Sequence, residues 1–211
     1  ASALVVGTTV VLTGLYALAY MNVFRQPDSR VATSKWLVEN VPQGERILVE
    51  PSQNVPPMGS YYTHTKFRHD YVLWGAGNSR RQAERERKDY YHLFSLDTYR
   101  YLYADRYDDA EKRRYIASRL AEVDWIVIDD TYVQWYDTLS RSVRPDDRIH
   151  NAVVAQHYRD LFDGKLGFEM VKTFKVYPEI LGLTIHDEAA EFTFRLFDHP
   201  RVYIFKRTAP R

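Results

Sequence analysis

The chain has 211 residues, of which 27% are charged and 45% hydrophobic, with 29 Lys and Arg against 28 Asp and Glu, giving a net charge of +1. That near balance argues against a nucleic-acid partner, which requires a concentrated basic face. The lack of cysteine excludes a disulfide framework, a thiolate zinc site and a cysteine nucleophile.

The apolar residues are unevenly spread. From Ala3 to Phe24 there is no Asp, Glu, Lys, Arg, Pro or His, and about 20 apolar residues suffice for a helix to cross the hydrocarbon core. The segment is predicted to be a transmembrane helix. A secretory signal would carry a basic start, a shorter apolar run and a small-residue cleavage site, which this segment lacks. Gly7, Thr8, Thr9, Thr13 and Gly14 would let a neighbouring helix approach closely. Tyr16, Tyr20 and Phe24 fit the aromatic belt of a membrane interface. Beginning at Ala1, the chain reads as a processed product or a piece of a longer one.

The remainder, 25–211, is long enough for one domain with a substantial core, predicted to sit on the membrane surface. Asp28 or Ser29 can cap a helix whose apolar face is Val31, Trp36, Leu37 and Val41; Pro42 and Gly44 stop it, and Arg46 to Glu50 form a short strand. The loop PSQNVPPMGSYYTHT follows, and Tyr71 to Leu73 read as a second strand ending at GAGN. The run RRQAERERK, with five basic and two acidic residues, reads as a solvated helix face. An aromatic region, DYYHLFSLDTYRYLYADRY, leads to a helix from Asp108 or Asp109 to Glu122.

Trp125 to Ile128 run apolar without alternation, as strands covered on both faces do. Tyr132 to Val143 read as a short helix, and AVVAQHYRDLFDG as another, ending at Gly164. Three β runs are predicted toward the end: FEMVKTFKVYP, FTFRLFD and RVYIFKR. The fold class is therefore α/β: one N-terminal transmembrane helix over 1–24, then a single domain with a mixed sheet and antiparallel C-terminal strands. Residues 46–50 and 125–129 are expected as neighbouring strands.

Self-sufficient chemistry is sparse. GAG at 75–77 is a turn rather than a dinucleotide fingerprint, and neither a phosphate loop nor HExxH is present. His64, His69 and Asp70 are not spaced for one helical metal site, and no metal or cofactor is implied. Of the paired carboxylates, Asp108 with Asp109 and Asp146 with Asp147 sit where caps and turns belong. Asp129 and Asp130 instead end a buried strand, where open α/β sheets place ligands. Glu50 ends the first strand equivalently. With Gln53, Asn54, Tyr61, Tyr62 and His64 it offers hydrogen-bonding groups and aromatic faces suited to a sugar, or else a surface loop whose tyrosines pack on the domain.

The apolar helix followed by Arg30, Ala32, Trp36, NVPQGERI and a strand ending in Glu50 resembles the C-terminal extracytoplasmic part of GT-C class glycosyltransferases. DWIVID, YRDLFDGKLGFEMVKTFKVYP and DHPRVYIFKR follow in the same order. These are polyprenyl-phosphate-sugar-dependent membrane enzymes related to protein mannosyltransferases and the aminoarabinose transferase. The resemblance implies that this part covers the transfer site on the extracytoplasmic side, helps select the acceptor, packs against other transmembrane helices and lies near lipid-linked sugar. The family's catalytic carboxylates lie in an early loop that this chain does not include. PSQNVPP departs from the Trp-Asp and Leu-Pro pattern of the family's corresponding loop, so no catalytic residue is carried over. The alternative is a non-catalytic single-pass subunit docking on a larger membrane complex; a free soluble hydrolase is a third reading.

Overall fold

The computed structural model describes residues 2–42, 44–50, 56, 68–69, 92–96, 98 and 109–208. Helix α1, Ser2–Met21, has 20 residues and so measures about 30 Å. Among the described residues it is the one helical region long and apolar enough to cross a membrane. Its apolar side chains stand exposed along its length, and Ala19 alone is buried.

A 3-10 turn, Val23–Arg25, follows directly. Asp28 then caps α2, Ser29–Asn40, accepting the Arg30 N–H at 2.8 Å. The buried face of α2 is Ser29, Thr33, Ser34 and Leu37, a rotation from the expected apolar stripe; Val31 and Trp36 are only partly covered. The buried hydroxyls make this possible by bonding to backbone: Ser29 to the Pro200 carbonyl at 2.6 Å, and Thr33 to the Ser29 carbonyl at 2.8 Å.

The main sheet has the order β2-β3-β1-β4-β8-β5. Its strands are β1 (Arg46–Val49), β2 (Arg68–His69), β3 (His92–Ser95), β4 (Trp125–Asp129), β5 (Phe168–Phe174) and β8 (Val202–Arg207). β1 pairs in parallel with β3 on one side and β4 on the other, and β2 pairs in parallel with β3. β8 is antiparallel to both β4 and β5, so the sheet is mixed, and β1 and β4 are neighbours as expected. The remaining helices are α3 (Asp109–Ala121), α4 (Asp130–Ser140), α5 (Pro145–Phe162) and α6 (Phe192–Asp198).

Two cores cover the sheet. Leu48, Ile126, Ile128 and Phe205 pack with Ile116, Tyr136, Val154 and Tyr158 from α3, α4 and α5. Ile47, Val49, Trp125, Val127 and Ile204 pack with Leu37 of α2 and the adjoining Val41. All five residues of β4 are buried, which explains its unbroken apolar run. At the end of α5, Gly164 takes φ +73°. The Lys165 N–H reaches back to the Asp160 carbonyl, and the Gly164 N–H to that of Leu161, the Schellman arrangement that glycine permits.

FTFRLFD is a helix, α6, not a strand. Its apolar alternation fits either state, but the Glu191 carboxylate accepts the Phe194 N–H at 3.0 Å and caps a helix, and Pro200 lies just beyond its end. The stretch before it contains a small hairpin, β6 (Glu179–Ile180) with β7 (Leu183–Thr184). Leu181 and Gly182 turn it with φ 53° and 80°. The strand expected at Tyr71 to Leu73, the RRQAERERK run and most of the aromatic region lie outside the described residues.

Candidate functional site at the carboxyl edge of the sheet

β1, β3 and β4 run in parallel, so their carboxyl ends share one edge. The chain places β3 on one side of β1 and β4 on the other, making the β1/β4 boundary the switch point at which open α/β sheets bind ligands. Glu50 and Asp129 end these two strands. The sequence-predicted carboxylates are thus brought to one boundary, yet alternation sends them to opposite faces. Glu50 follows the side of Leu48, toward α5; Asp129 follows Val127 and Trp125, toward α2.

Glu50 is buried and accepts the Tyr158 hydroxyl at 2.6 Å and the Thr98 hydroxyl at 3.2 Å. Those two hydroxyls lie 3.0 Å apart, and the Tyr136 hydroxyl donates to the Thr98 carbonyl. Burial, reinforced by the Glu50 charge, pushes the Tyr158 hydroxyl well above its ordinary pKa, so it remains a donor. This carboxylate is oriented and desolvated, with its bonds directed inward.

Asp129 caps α4, accepting the Thr131 N–H at 2.7 Å. Asp130, also buried, accepts the Arg201 N–H at 3.2 Å and the Gln134 amide at 3.2 Å, with the Arg195 guanidinium at 3.9 Å. Burial, then the neighbouring Asp129 charge, raises its pKa. Beside it opens a cleft of about 310 Å³ lined by Gln134, Asp137, Thr138, Glu188, Arg195 and Arg201 among others. Arg201 pairs with Glu188 at 2.7 Å. The Glu188 carboxyl is held down to about 2, chiefly by the Tyr177 hydroxyl. With two carboxylates, two guanidinium groups, one amide and one hydroxyl in its lining, the cleft can hydrogen-bond a polyhydroxylated ligand and carries no single dominant charge.

Gln53, Asn54, Tyr61, Tyr62 and His64 lie outside the described residues. Sequence reading missed the partners that define both places: Thr98, Tyr136 and Tyr158 around Glu50, and Gln134, Arg195 and Arg201 around Asp130. Tyr158 carried one signal, sharing helical spacing with the buried Val154 and Leu161. Arg195 carried none, since it lies in the misread α6.

No known protein-family model matches the chain, and no curated protein matches it.

A third cluster lies where α1 meets the domain. The Tyr20 hydroxyl donates to Asp198, and its ring stacks on Phe194 at 4.8 Å and meets the edge of His199 at 5.7 Å. Behind it, His199 Nε2 is 2.6 Å from Asp187, whose other oxygen is 3.3 Å from Lys175 Nζ, all three side chains buried. Among the described residues, no group of three or more His, Asp or Glu could hold a metal ion.

Proposed function

We propose that this chain is the last transmembrane helix and the membrane-surface domain of a polyprenyl-phosphate-sugar-dependent glycosyltransferase, covering the transfer site from the extracytoplasmic side and helping to select the acceptor. The observation that carries this reading is the clamp of Tyr20 on Asp198, Phe194 and His199. A covering domain must hold a fixed position over a site in the membrane, and this clamp ties the end of α1 to α6 without a flexible linker. The ordered motifs that resemble GT-C enzymes supply the reaction class, and the polar cleft beside Asp130 is the surface offered to an acceptor's hydroxyls. Chemistry would fall to a carboxylate base in the helical bundle.

The engagement of Glu50, Asp129 and Asp130 in internal hydrogen bonds favours a second reading, a non-catalytic single-pass subunit of a larger complex. Purification of the native polypeptide from membranes in mild detergent, followed by intact mass and a transfer assay with labelled polyprenyl-phosphate sugar, separates the two. A species far heavier than 24.9 kDa that contains this sequence and transfers sugar supports the enzyme. A chain of that mass, held in a stable assembly and unable to transfer sugar alone, supports the subunit.

A further inference from the structure

The β6–β7 hairpin spends an exposed leucine on a position that disfavours it. Leu181 has φ 53°, in the left-handed region where Gly or Asn is the usual occupant of such a two-residue turn. The residue is 96% exposed, and Leu183 70%. From Ile180 to Ile185 the sequence has no charge. A turn made only to reverse the chain in water would gain from a polar residue here.

The hairpin's place in the fold supplies the reason. β6 packs against α1, and because Ala19 is the one buried residue of that helix, with Tyr16 and Tyr20 partly covered, the contact falls at its last two turns. Those turns carry the aromatic residues typical of a membrane interface. The exposed Met21, Phe24, Phe194 and Phe197 extend the apolar surface nearby, with Tyr20 joining Phe24 to Phe194 through ring contacts.

We propose that the hairpin inserts its Leu181–Leu183 tip into the interfacial layer of the lipid bilayer beside α1, giving the domain a second point of membrane attachment. Interfacial elements bury apolar side chains about 5–10 Å into the headgroup and acyl boundary. The leucine side chains reach that layer while the turn backbone of Leu181 and Gly182 stays at headgroup depth, where water and headgroups can satisfy its peptide groups. The inference rests on the membrane-spanning reading of α1 and is independent of sugar transfer.

The absence of cysteine makes single-site labelling direct. Leu181→Cys and, separately, Leu12→Cys in the middle of α1 are labelled with an environment-sensitive fluorophore, and the full chain is reconstituted in phosphatidylcholine–phosphatidylglycerol vesicles. Quenchers are aqueous iodide and lipids spin-labelled near the headgroup or near the acyl end. At Leu181 the headgroup-proximal quencher should reduce emission more than the acyl-end quencher does, as an insertion depth of about 5–10 Å requires, while iodide has little effect, and Leu183→Cys should behave alike. Iodide quenching at Leu181 with lipid quenching at Leu12 would overturn the hairpin proposal alone. Loss of lipid quenching at Leu12 would remove the membrane reading and this proposal with it. Protection of Leu181 from both quenchers would show protein covering the tip, and would also overturn it.

Discussion

Tyr158 donates its hydroxyl to Glu50 at 2.6 Å across 108 residues of sequence, joining α5 to the end of β1 in a place that neither side chain shares with water. Tyr158→Phe keeps the ring packing and removes the donor, leaving a buried carboxylate with fewer partners. The expected loss is about 1–3 kcal/mol, read as a fall of the unfolding midpoint by about 2–4 °C per kcal/mol for a domain of this size. An unchanged midpoint would mean that the remaining donors satisfy Glu50.

Arg195 and Asp130 are both almost fully buried, at 6% and 5% side-chain exposure. Arg195→Leu should destabilise the domain by about 3 kcal/mol, because it strips a buried carboxylate of its counter-charge. Adding Asp130→Asn should recover part of that loss, since the amide oxygen can still accept the Arg201 N–H and needs no cation. Denaturant unfolding of the four members of the cycle measures the coupling. Strictly additive losses would refute it.

The junction after α1 can be probed by proteolysis. Tyr20→Ala removes the hydroxyl bond to Asp198 and the stack on Phe194, so trypsin should cleave after Arg25 or Arg30 several-fold faster in the reconstituted variant. Equal rates would place the rigidity of the join in the Ser29–Pro200 bond and the Asp28 cap instead.

Stability should fall on mild acidification through His157. Burial pushes this imidazole down to about 4 from 6.5, with Asp160 opposing weakly. Its folded pKa lies below its unfolded one, so between pH 6.5 and 4 the unfolded chain takes up the proton and the folded chain does not. Its contribution is intact above 6.5, declines through that window and is level below it. At about 1.4 kcal/mol per unit the loss approaches roughly 3 kcal/mol. His157→Gln should flatten this part of the pH profile; an identical slope in both proteins would contradict the assignment.

The sequence was most legible where one force dominated. The unbroken apolar run of β4 could only be a strand covered on both faces, and the two helix–turn–strand units in succession placed β1 beside it. Glu50, Asp129 and Asp130 were legible as strand-end carboxylates. Their destinations were not, because the partners lie far along the chain and because Arg195 sits in a stretch whose alternating Phe192, Phe194 and Leu196 suit a strand as well as a helix. The buried face of α2 escaped notice for a different reason. Ser29 and Thr33 are polar by type, and only their backbone acceptors make them residents of a core.

The position of β8 has a consequence for the order of events during synthesis. It is the last described strand along the chain, yet it lies inside the sheet, between β4 and β5, and Arg207 at its end reaches back to the Leu120 carbonyl in the last turn of α3 and to the Val123 carbonyl just after it. The antiparallel half of the sheet therefore stays open until β8 has left the ribosome, whereas α1 emerges first. On the membrane-spanning reading proposed for α1, a nascent chain would commit its apolar helix to the translocon well before its domain can close, and the clamp at Tyr20, which needs α6, would form only after the helix already has its place in the membrane.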